Sequence, residues 1–503
     1  MRTPPSAERE VLVIIAVFTA LRLVLAAAIG LGIDEAYSVS SARELALSYY
    51  DHPPLQYWIA HFFLPLLGDG RAARLPFIAL FAASSWLLYR LTQVLFGARA
   101  GVIAVLALNV SGIFTVAVGG WVLPDGPLAF ALLGTALTLA RLLFEGPVTR
   151  ARALSLWLHT GVWLGVALLA KYHAVLFALG LLLFLVSVRS RRYLLRDPGP
   201  WLAALVTLVI ATPVLVWNGR HHWASFAYQL GRGAVSGLHP KYLVANILGQ
   251  AIWILPWIFV PLVLAGWRAL RAGPAAERSW LCVCLALPTI VLFTVVPLFG
   301  QLGLPHWQMP GWLMLYPVLG DYGARLVPPV RLRRFAIACV VLVVALGGAA
   351  ATETTTGFGR TLTPKLFARG DATLGALDWS QLPPELAARG LLRPGVFVIT
   401  TSWIYAGKID QALHGRVPIV VFGNNPKQYA LRYQPQGFIG RDALVVGPVD
   451  SMAGVLQELQ PYFDSIEEQP PVALGRRGLK EIELRLLLAR RLRAELPWPD
   501  WAR

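Results

Sequence analysis

The stretch VLVIIAVFTALRLVLAAAIGLGIDEAYS, residues 11–38, places a long apolar run directly before two acidic residues. About 20 apolar residues are enough to cross a bilayer. No small-residue cleavage site follows the run, so we expect Val11–Leu31 to be a first membrane span and not a cleaved signal. Asp34 and Glu35 then lie at a membrane face. Carboxylates are costly there and mark function more often than chance, although a solvated loop would also carry acids.

The composition extends this prediction to most of the chain. Of 503 residues, 56% are hydrophobic and 14% charged, whereas soluble domains carry about 25% charged residues. Charges are sparse up to about residue 350. We expect a mainly α-helical, polytopic transmembrane bundle over residues 1–351, with about eleven spans: Val11–Leu31, Leu75–Phe96, Gly101–Val118, Leu128–Leu143, Leu154–Ala170, His173–Val188, Trp201–Trp217, Leu243–Trp267, Trp280–Leu298, Trp307–Leu319 and Phe335–Ala351.

The basic residues indicate the orientation of these spans. With the N-terminus inside, arginine clusters such as 189–196 and 331–334 fall in the cytoplasmic loops, where Lys and Arg are in excess. The net charge of +17 therefore indicates membrane topology, and nucleic-acid binding is not expected. Four polar loops are placed outside, at residues 32–74, 119–127, 220–242 and 299–306.

Residues 352–503 have the composition of a small α/β domain, which the same parity places outside the cytoplasm. Short apolar runs predict strands at Val396–Thr400, Ile419–Phe422 and Ala443–Val446. Met452–Leu459 is predicted to be a helix. The arginine-rich segment Leu479–Arg493 is consistent with either a strand or an amphipathic helix.

The outer loops carry the residues suited to chemistry. Asp51 and His52 share the first loop with Asp34 and Glu35, and an adjacent His can bind an anion or a metal or move a proton. Asp125 lies in a turn-forming stretch of the second loop. The alternative is that each of these residues lies in an ordinary surface turn without a chemical role.

Cations accompany these acids on the same side. Lys171, followed by Tyr172, interrupts an apolar run and must pair with an anion or act as an interfacial anchor. Gln229 and Arg232 lie in an aromatic stretch that also resembles an interfacial helix, and Arg suits phosphate. His306 lies in the fourth outer loop. A carboxylate base facing cations is what displacement of a phosphate leaving group requires.

No Walker A sequence occurs in the cytoplasmic loops, which disfavours a nucleotide-activated donor. A donor available outside the membrane would be lipid-linked. The loops contain an ordered set of motifs: DEAYS (34–38), YYDHPPL (49–55), RAARLP (71–76), PDGPL (124–128), LLAKYHAVL (168–176), WASFAYQLGRG (223–233) and LPHWQMP (304–310). In these motifs the chain resembles the membrane glycosyltransferases of the C-type fold, in particular the bacterial protein O-mannosyltransferase and lipid A aminoarabinose transferase branch. A looser similarity follows at TSWIYAGKID (401–410) and PIVVFGNNPKQY (418–429).

The resemblance implies roles for acids in the first two outer loops. Asp34 matches the general base toward the acceptor hydroxyl, and Glu35 a neighbour that helps place the acceptor. Asp51 and His52 match an acid–basic pair near the donor phosphate. Asp125 matches the acid of the second loop, which we place with the catalytic group.

The remaining candidates are substrate-binding residues. Lys171 and Arg232 match positions that hold the lipid phosphate, with Tyr172 beside them, and His306 is expected beside the sugar. Gln229 takes the position at which the family has a histidine. The resemblance therefore gives only weak support to a divalent ion at Asp51, although such an ion is still allowed. No other cofactor is expected.

The resulting hypothesis is an inverting glycosyltransferase at the periplasmic face of the bacterial inner membrane. It would move a sugar from a polyprenyl-phosphate donor to a hydroxyl of lipid A or core sugar, another glycan, a lipid or a protein. The alternatives are a transporter or flippase of lipid-linked sugars and a polysaccharide polymerase or ligase. Transporters often show internal repeats and polar residues at mid-membrane depth, neither of which is clear here.

Overall fold

A computed structural model describes residues 5–367 and 370–502. The N-terminal part is a helical bundle. Its helices are α1 (Pro5–Ala28), α2 (Ile33–Ser41), α3 (Leu55–Leu67), α4 (Leu75–Phe96), α5 (Ala98–Asn109), α6 (Gly112–Thr115), α7 (Ala117–Gly120), α8 (Asp125–Phe144), α9 (Arg150–Ala170), α10 (Ala174–Ser187), α11 (Pro198–Arg220), α12 (Ala224–Gly231), α13 (Pro240–Ile254), α14 (Pro256–Ala272), α15 (Glu277–Phe299), α16 (Met309–Leu313), α17 (Tyr316–Leu326) and α18 (Pro329–Thr356).

Within the described residues, seven helices are long and apolar enough to cross a membrane, or ten spans if each of three bent helix pairs counts as one. The predicted count of eleven is therefore not confirmed. The seven are α1, α4, α8, α9, α11, α15 and α18. Predicted span Trp307–Leu319 is divided between the short helices α16 and α17, and Pro317, which lacks an N–H, lies in the first turn of α17.

Two bends have identifiable causes. The chain turns by 83° between α5 and α6, where Arg22 of α1 donates hydrogen bonds to Asn109 Oδ1 (2.9 Å) and the Thr115 carbonyl (3.1 Å). The bend frees backbone groups, and Arg22 pairs with one of them inside the bundle. A second turn of 108° separates α13 from α14 at Leu255, which has a positive φ and precedes Pro256.

Small residues allow the central helices to approach closely. A Cβ at Gly134 of α8 would lie 2.4 Å from the Trp163 ring of α9, and one at Gly161 would lie 2.6 Å from the Ala203 carbonyl of α11. Helix association in a membrane depends on such close packing, because burial in lipid offers no hydrophobic gain. These contacts fix the α8–α9–α11 layer, from whose ends the second and third outer loops extend.

The C-terminal part contains a five-stranded mixed sheet in the order β2-β1-β3-β5-β4. Strands β1 and β2 and strands β1 and β3 pair in parallel, whereas β5 runs antiparallel to both β3 and β4. The elements are α19 (Phe358–Leu362), α20 (Leu382–Ala388), β1 (Phe397–Thr400), α21 (Trp403–Ala412), β2 (Ile419–Val421), α22 (Tyr429–Arg432), β3 (Ala443–Pro448), α23 (Val455–Leu459), β4 (Phe463–Arg476) and β5 (Leu479–Leu492).

The sheet confirms the three predicted strands and assigns Leu479–Arg493 to a strand. The helix predicted from Met452 begins only at Val455, after Gly454 with φ 79°. Strand β4 was not predicted, because Pro470 and Pro471 and several acids interrupt its pattern. It lies at the sheet edge and changes register between Gln469 and Val472, where proline is tolerated.

The C-terminal domain packs on the first outer loop. Helix α21 crosses α2 so closely that a Cβ at Gly407 would lie 2.7 Å from the Tyr37 backbone nitrogen. Lys408 donates to the Leu31 carbonyl (2.6 Å), and Arg43 pairs with Asp410 (3.0 Å). The domain therefore holds α2, the helix that carries Asp34, from the side opposite the bundle.

Candidate active site

A cavity of about 760 Å³ lies between the four predicted outer loops and the C-terminal domain. Its wall contains nine of the ten predicted site residues, and Glu35 is the exception. The nine are Asp34, Asp51, His52, Asp125, Lys171, Tyr172, Gln229, Arg232 and His306. The folded chain thus brings together residues that are separated by up to 272 positions in the sequence.

Asp34 presents its side chain to this cavity from the first turn of α2. Among the described residues, none donates a hydrogen bond to its carboxylate. The surrounding protein raises the pKa of Asp34 through desolvation, and Asp51 adds to this, while Lys427 opposes it. A carboxylate with a raised pKa is a stronger base, so Asp34 is suited to accept a proton from a bound hydroxyl.

Glu35 lies behind the cavity wall. Its carboxylate forms a two-point ion pair with Arg74 (2.7 and 2.5 Å) and accepts hydrogen bonds from the backbone N–H groups of Gly32 (2.9 Å) and Val122 (3.2 Å). Both side chains of the ion pair are almost fully buried. Glu35 therefore fixes the start of α2 against the bundle. The structure offers it no direct contact with an acceptor in the cavity.

Asp51 forms the hub of a buried network. Its Oδ1 accepts hydrogen bonds from Tyr37 and Tyr57 (both 3.0 Å), and its Oδ2 pairs with Lys427 Nζ (3.1 Å). Burial works to raise the pKa of Asp51, but Lys427 and the other partners hold it below its usual range. Gln229 donates to the Asp51 backbone carbonyl and fixes the third loop beside the first.

These contacts argue against a divalent ion at Asp51. Lys427 occupies the carboxylate oxygen that a metal would need, and a cation cannot enter without displacing it. The described part of the chain also contains no group of three or more His, Cys, Asp or Glu side chains spaced to hold a metal. The donor set therefore does not fit the divalent ion that the sequence left open.

Lys171 and Asp125 form a second ion pair on the cavity wall. Lys171 Nζ lies 2.9 Å from Asp125 Oδ1, and the two side chains are only 5% and 11% exposed. Asp125 begins α8 and Lys171 directly follows α9, two helices that pack along their length. The pair holds a fixed ammonium group at the cavity wall. This position explains why a lysine interrupts the apolar run.

Arg232 supplies a further positive charge. Its guanidinium lies over the Trp307 ring (4.7 Å) and the Tyr228 ring (5.8 Å). Within the described chain it has no carboxylate partner, so its donors remain available to an anion. Tyr172 is hydrogen-bonded to Ser225 (2.8 Å), which ties the third loop to the end of α9.

The histidines of the cavity are neutral at physiological pH. Desolvation by the surrounding protein lowers the pKa of His52 to about 4 despite Asp51 beside it, and desolvation with Lys171 lowers that of His306 to about 4. Among the described residues, the His52 Nδ1 atom and both ring nitrogens of His173 are buried without a hydrogen-bond partner. Buried polar atoms without partners are costly, and a bound polar molecule would satisfy them.

Several wall residues were not predicted as site residues. His173 follows the predicted Lys171–Tyr172 pair, and Trp403, Asn425 and Lys427 come from the C-terminal domain. The last three lie in the two stretches, 401–410 and 418–429, whose looser similarity was the signal for them. Tyr37 lies within the quoted DEAYS segment.

Known proteins are similar to this chain in sequence and in fold. The family described as dolichyl-phosphate-mannose-protein mannosyltransferase matches residues 51–217. The lipid A galacturonosyltransferase RgtD of Rhizobium johnstonii is 27% identical over 290 residues, which cover 52% of this chain. The match spans only about half, 54%, of that relative's length.

Solved structures extend the likeness over nearly the whole chain. ArnT from Cupriavidus metallidurans, crystallised with undecaprenyl phosphate, superposes with a TM-score of 0.64 over 94% of this chain and 97% of its own, at 16% identity. Its apo state gives the same TM-score at 17% identity. At such identities the likeness shows the fold.

The fold and the matches confirm the resemblance predicted from the loop motifs. The chain shares the fold of ArnT, and its described residues contain seven to ten candidate membrane spans. Within residues 51–217 it is also similar in sequence to the protein mannosyltransferase family.

Proposed function

We propose that the protein transfers a sugar from a polyprenyl-phosphate-linked donor to an acceptor hydroxyl, with inversion at the anomeric carbon. One observation carries the proposal. A single cavity holds Asp34, whose carboxylate accepts no hydrogen bond from any described residue, together with the cations Lys171 and Arg232. A base and a cationic site for a phosphate are the two groups that this displacement needs.

Asp34 acts on the acceptor. Its carboxylate takes the proton of the acceptor hydroxyl as the oxygen attacks the anomeric carbon. The bond between that carbon and the phosphate oxygen breaks, and its electron pair leaves with the phosphate. Attack from the face opposite the phosphate inverts the anomeric configuration.

Lys171 and Arg232 act on the leaving group. The negative charge that develops on the phosphate is stabilised by a fixed ammonium and by a guanidinium held on Trp307. Asp125 keeps Lys171 in place. His52 and His306, being neutral, contribute hydrogen bonds to the sugar or phosphate and no charge.

The relatives suggest the substrates. ArnT binds undecaprenyl phosphate, and RgtD is named for transfer to lipid A. We therefore propose the periplasmic face of the bacterial inner membrane as the site of the reaction, with a lipid-linked donor and lipid A as the first acceptor to test. A core sugar, another glycan, a lipid or a protein remains the alternative acceptor.

The test uses the purified full chain in lipid nanodiscs. Synthetic undecaprenyl-phosphate sugars carrying a uronic acid, a neutral hexose or an aminopentose are offered with lipid A and, in separate reactions, with a core sugar, another glycan, a lipid or a protein. Products are identified by mass spectrometry. Transfer is expected from one of these donors and not from the matching nucleotide sugar, with inverted configuration by NMR. No transfer from any lipid-linked donor to any acceptor class would refute the proposal and favour transport.

A further inference from the structure

The C-terminal domain closes one wall of the cavity. Trp403 begins α21, and Asn425 and Lys427 lie in the segment between β2 and α22. The Lys427 backbone has a φ of 48°, in the left-handed region that side-chain-bearing residues seldom adopt. Such conformations persist where the surrounding structure enforces them, and they concentrate at functional sites.

Lys427 is enclosed on several sides. Its Nζ lies 3.1 Å from Asp51 Oδ2, 3.4 Å from the centre of the Trp403 ring and 4.9 Å from that of Tyr37. The residue is 7% exposed. A buried ammonium needs a carboxylate partner, so this pair ties the C-terminal domain to the first outer loop inside the cavity.

Four charged groups affect the pKa of Asp34. Lys427 is the cation, and the anions are Asp51, Glu35 and Asp125. Glu35 is paired with Arg74, and Asp125 with Lys171. Lys427 opposes the desolvation and the carboxylates that raise the pKa of Asp34, and it exerts the largest single charge effect on that group.

We propose that Lys427 is a positioning residue of the reaction: the C-terminal domain supplies it to the wall of the cavity that also holds Asp34, where it pairs with Asp51 and provides positive charge in the cavity of the base. This inference rests on the proposed function of Asp34 as base. It gives the C-terminal domain a defined part in catalysis: the active centre has its full charge balance only while that domain is docked on the first loop.

The first experiment compares Lys427→Met with Lys408→Met. Lys408 is a matched control, because it is a buried cation at the same domain interface that donates to the Leu31 and Leu377 carbonyls and does not line the cavity. The pH profile of kcat/KM is measured for sugar transfer. Lys427→Met should move the acidic limb to higher pH and lower kcat/KM at pH 6 by about tenfold, which corresponds to 1.36 kcal/mol. Lys427→Arg should restore the profile, and Lys408→Met should not move it.

The double variant Asp51→Asn/Lys427→Met guards against a misfolded single variant. It removes a buried pair together, which costs far less than leaving one charge alone. Asp51 raises the pKa of Asp34 and Lys427 lowers it. In the double variant, the acidic limb of the pH profile should therefore return toward that of the wild type. An equal loss in Lys427→Met and Lys408→Met, with unchanged pH profiles, would show a purely structural role and overturn the inference.

A second readout does not depend on the reaction. Carbodiimides modify the protonated form of a carboxyl group, so the pH dependence of Asp34 labelling, followed by mass spectrometry, reports its ionisation. Labelling should extend to higher pH in Lys427→Met and not in Lys408→Met. If the wild type transfers no sugar but this shift is found, the proposed function fails while the influence of Lys427 stands. Identical labelling profiles would overturn the inference itself.

Discussion

The ion pair between Glu35 and Arg74 yields the sharpest stability prediction. Arg74 binds both carboxylate oxygens of Glu35 and also donates to the carbonyls of Ile29 and Gly30 (both 2.8 Å). It thereby joins the end of α1 to the start of α2. Replacing Glu35 with Gln preserves the side-chain volume but leaves the guanidinium buried without a counter-charge.

The expected cost follows from that burial. Removing one partner of a buried ion pair destabilises a protein by about 3–5 kcal/mol. Arg74→Met alone should cost a similar amount, whereas the double variant Glu35→Gln/Arg74→Met should recover most of the loss, because no charge is then left unpaired. The two single effects are therefore expected to be strongly non-additive.

The assay is denaturant unfolding in detergent micelles, followed by tryptophan fluorescence, with transfer kinetics on the fraction that remains folded. If Glu35 fixes α2, Glu35→Gln lowers the free energy of unfolding and leaves the KM for the acceptor unchanged in the folded fraction. If Glu35 instead contacts the acceptor, stability stays within about 0.5 kcal/mol of the wild type, the usual range for a site without such features, and the acceptor KM rises. The second result would refute our account of this residue.

Three further predictions concern the cavity. Lys171→Met should lower kcat by about 100-fold, the usual effect of removing one group that stabilises developing charge, and an unchanged kcat would contradict its place at the phosphate. Arg232→Met should raise the donor KM by about tenfold, since a hydrogen bond to a charged group contributes about 1.5–3 kcal/mol. Arg232→Lys should have a smaller effect. Equal losses in both variants would instead indicate that Arg232 acts by packing on Trp307. EDTA should leave transfer unaffected, because Lys427 occupies Asp51, and loss of activity restored by Mg²⁺ or Mn²⁺ would contradict this.

The clustering of the site could be predicted because it depends on topology. Charge bias assigns each loop to a side, and motifs on one side must share a face of the bundle. That reasoning places Asp34, Asp125, Lys171 and Arg232 on one face from the sequence alone. The assignment of a loop to a side depends only on whether the number of spans between two loops is even or odd. An uncertain total number of spans therefore does not prevent it.

Pairwise contacts could not be predicted in the same way. The motif RAARLP was recognised, but nothing in its spacing shows that Arg74 reaches Glu35 and not Asp34. These neighbours on α2 point in directions about 100° apart, and only the packed bundle decides which one meets the guanidinium. Lys427 is 376 residues from Asp51, and no periodic pattern connects them.

Irregular elements could not be predicted from the hydropathy and strand patterns of the sequence either. Hydropathy averages over a window and so cannot place the bend after Asn109, which Arg22 stabilises from another helix. Likewise, the edge strand β4 depends on pairing with β5 and not on its own sequence, in which prolines argue against a strand.

The role of Asp34 as base is the central claim, and Asp34→Asn tests it most directly. Asn keeps the shape of the side chain but cannot accept the proton of the hydroxyl. Glu44→Gln is the matched control, since Glu44 is an exposed acid of the same loop, paired with Arg432 and absent from the cavity wall. Sugar transfer from the active undecaprenyl-phosphate donor is measured in nanodiscs. We predict that Asp34→Asn, folded as the wild type, loses at least about 100-fold in kcat, within the 10²–10⁴-fold that general base catalysis contributes, while Glu44→Gln transfers normally. Wild-type turnover by folded Asp34→Asn would contradict the account.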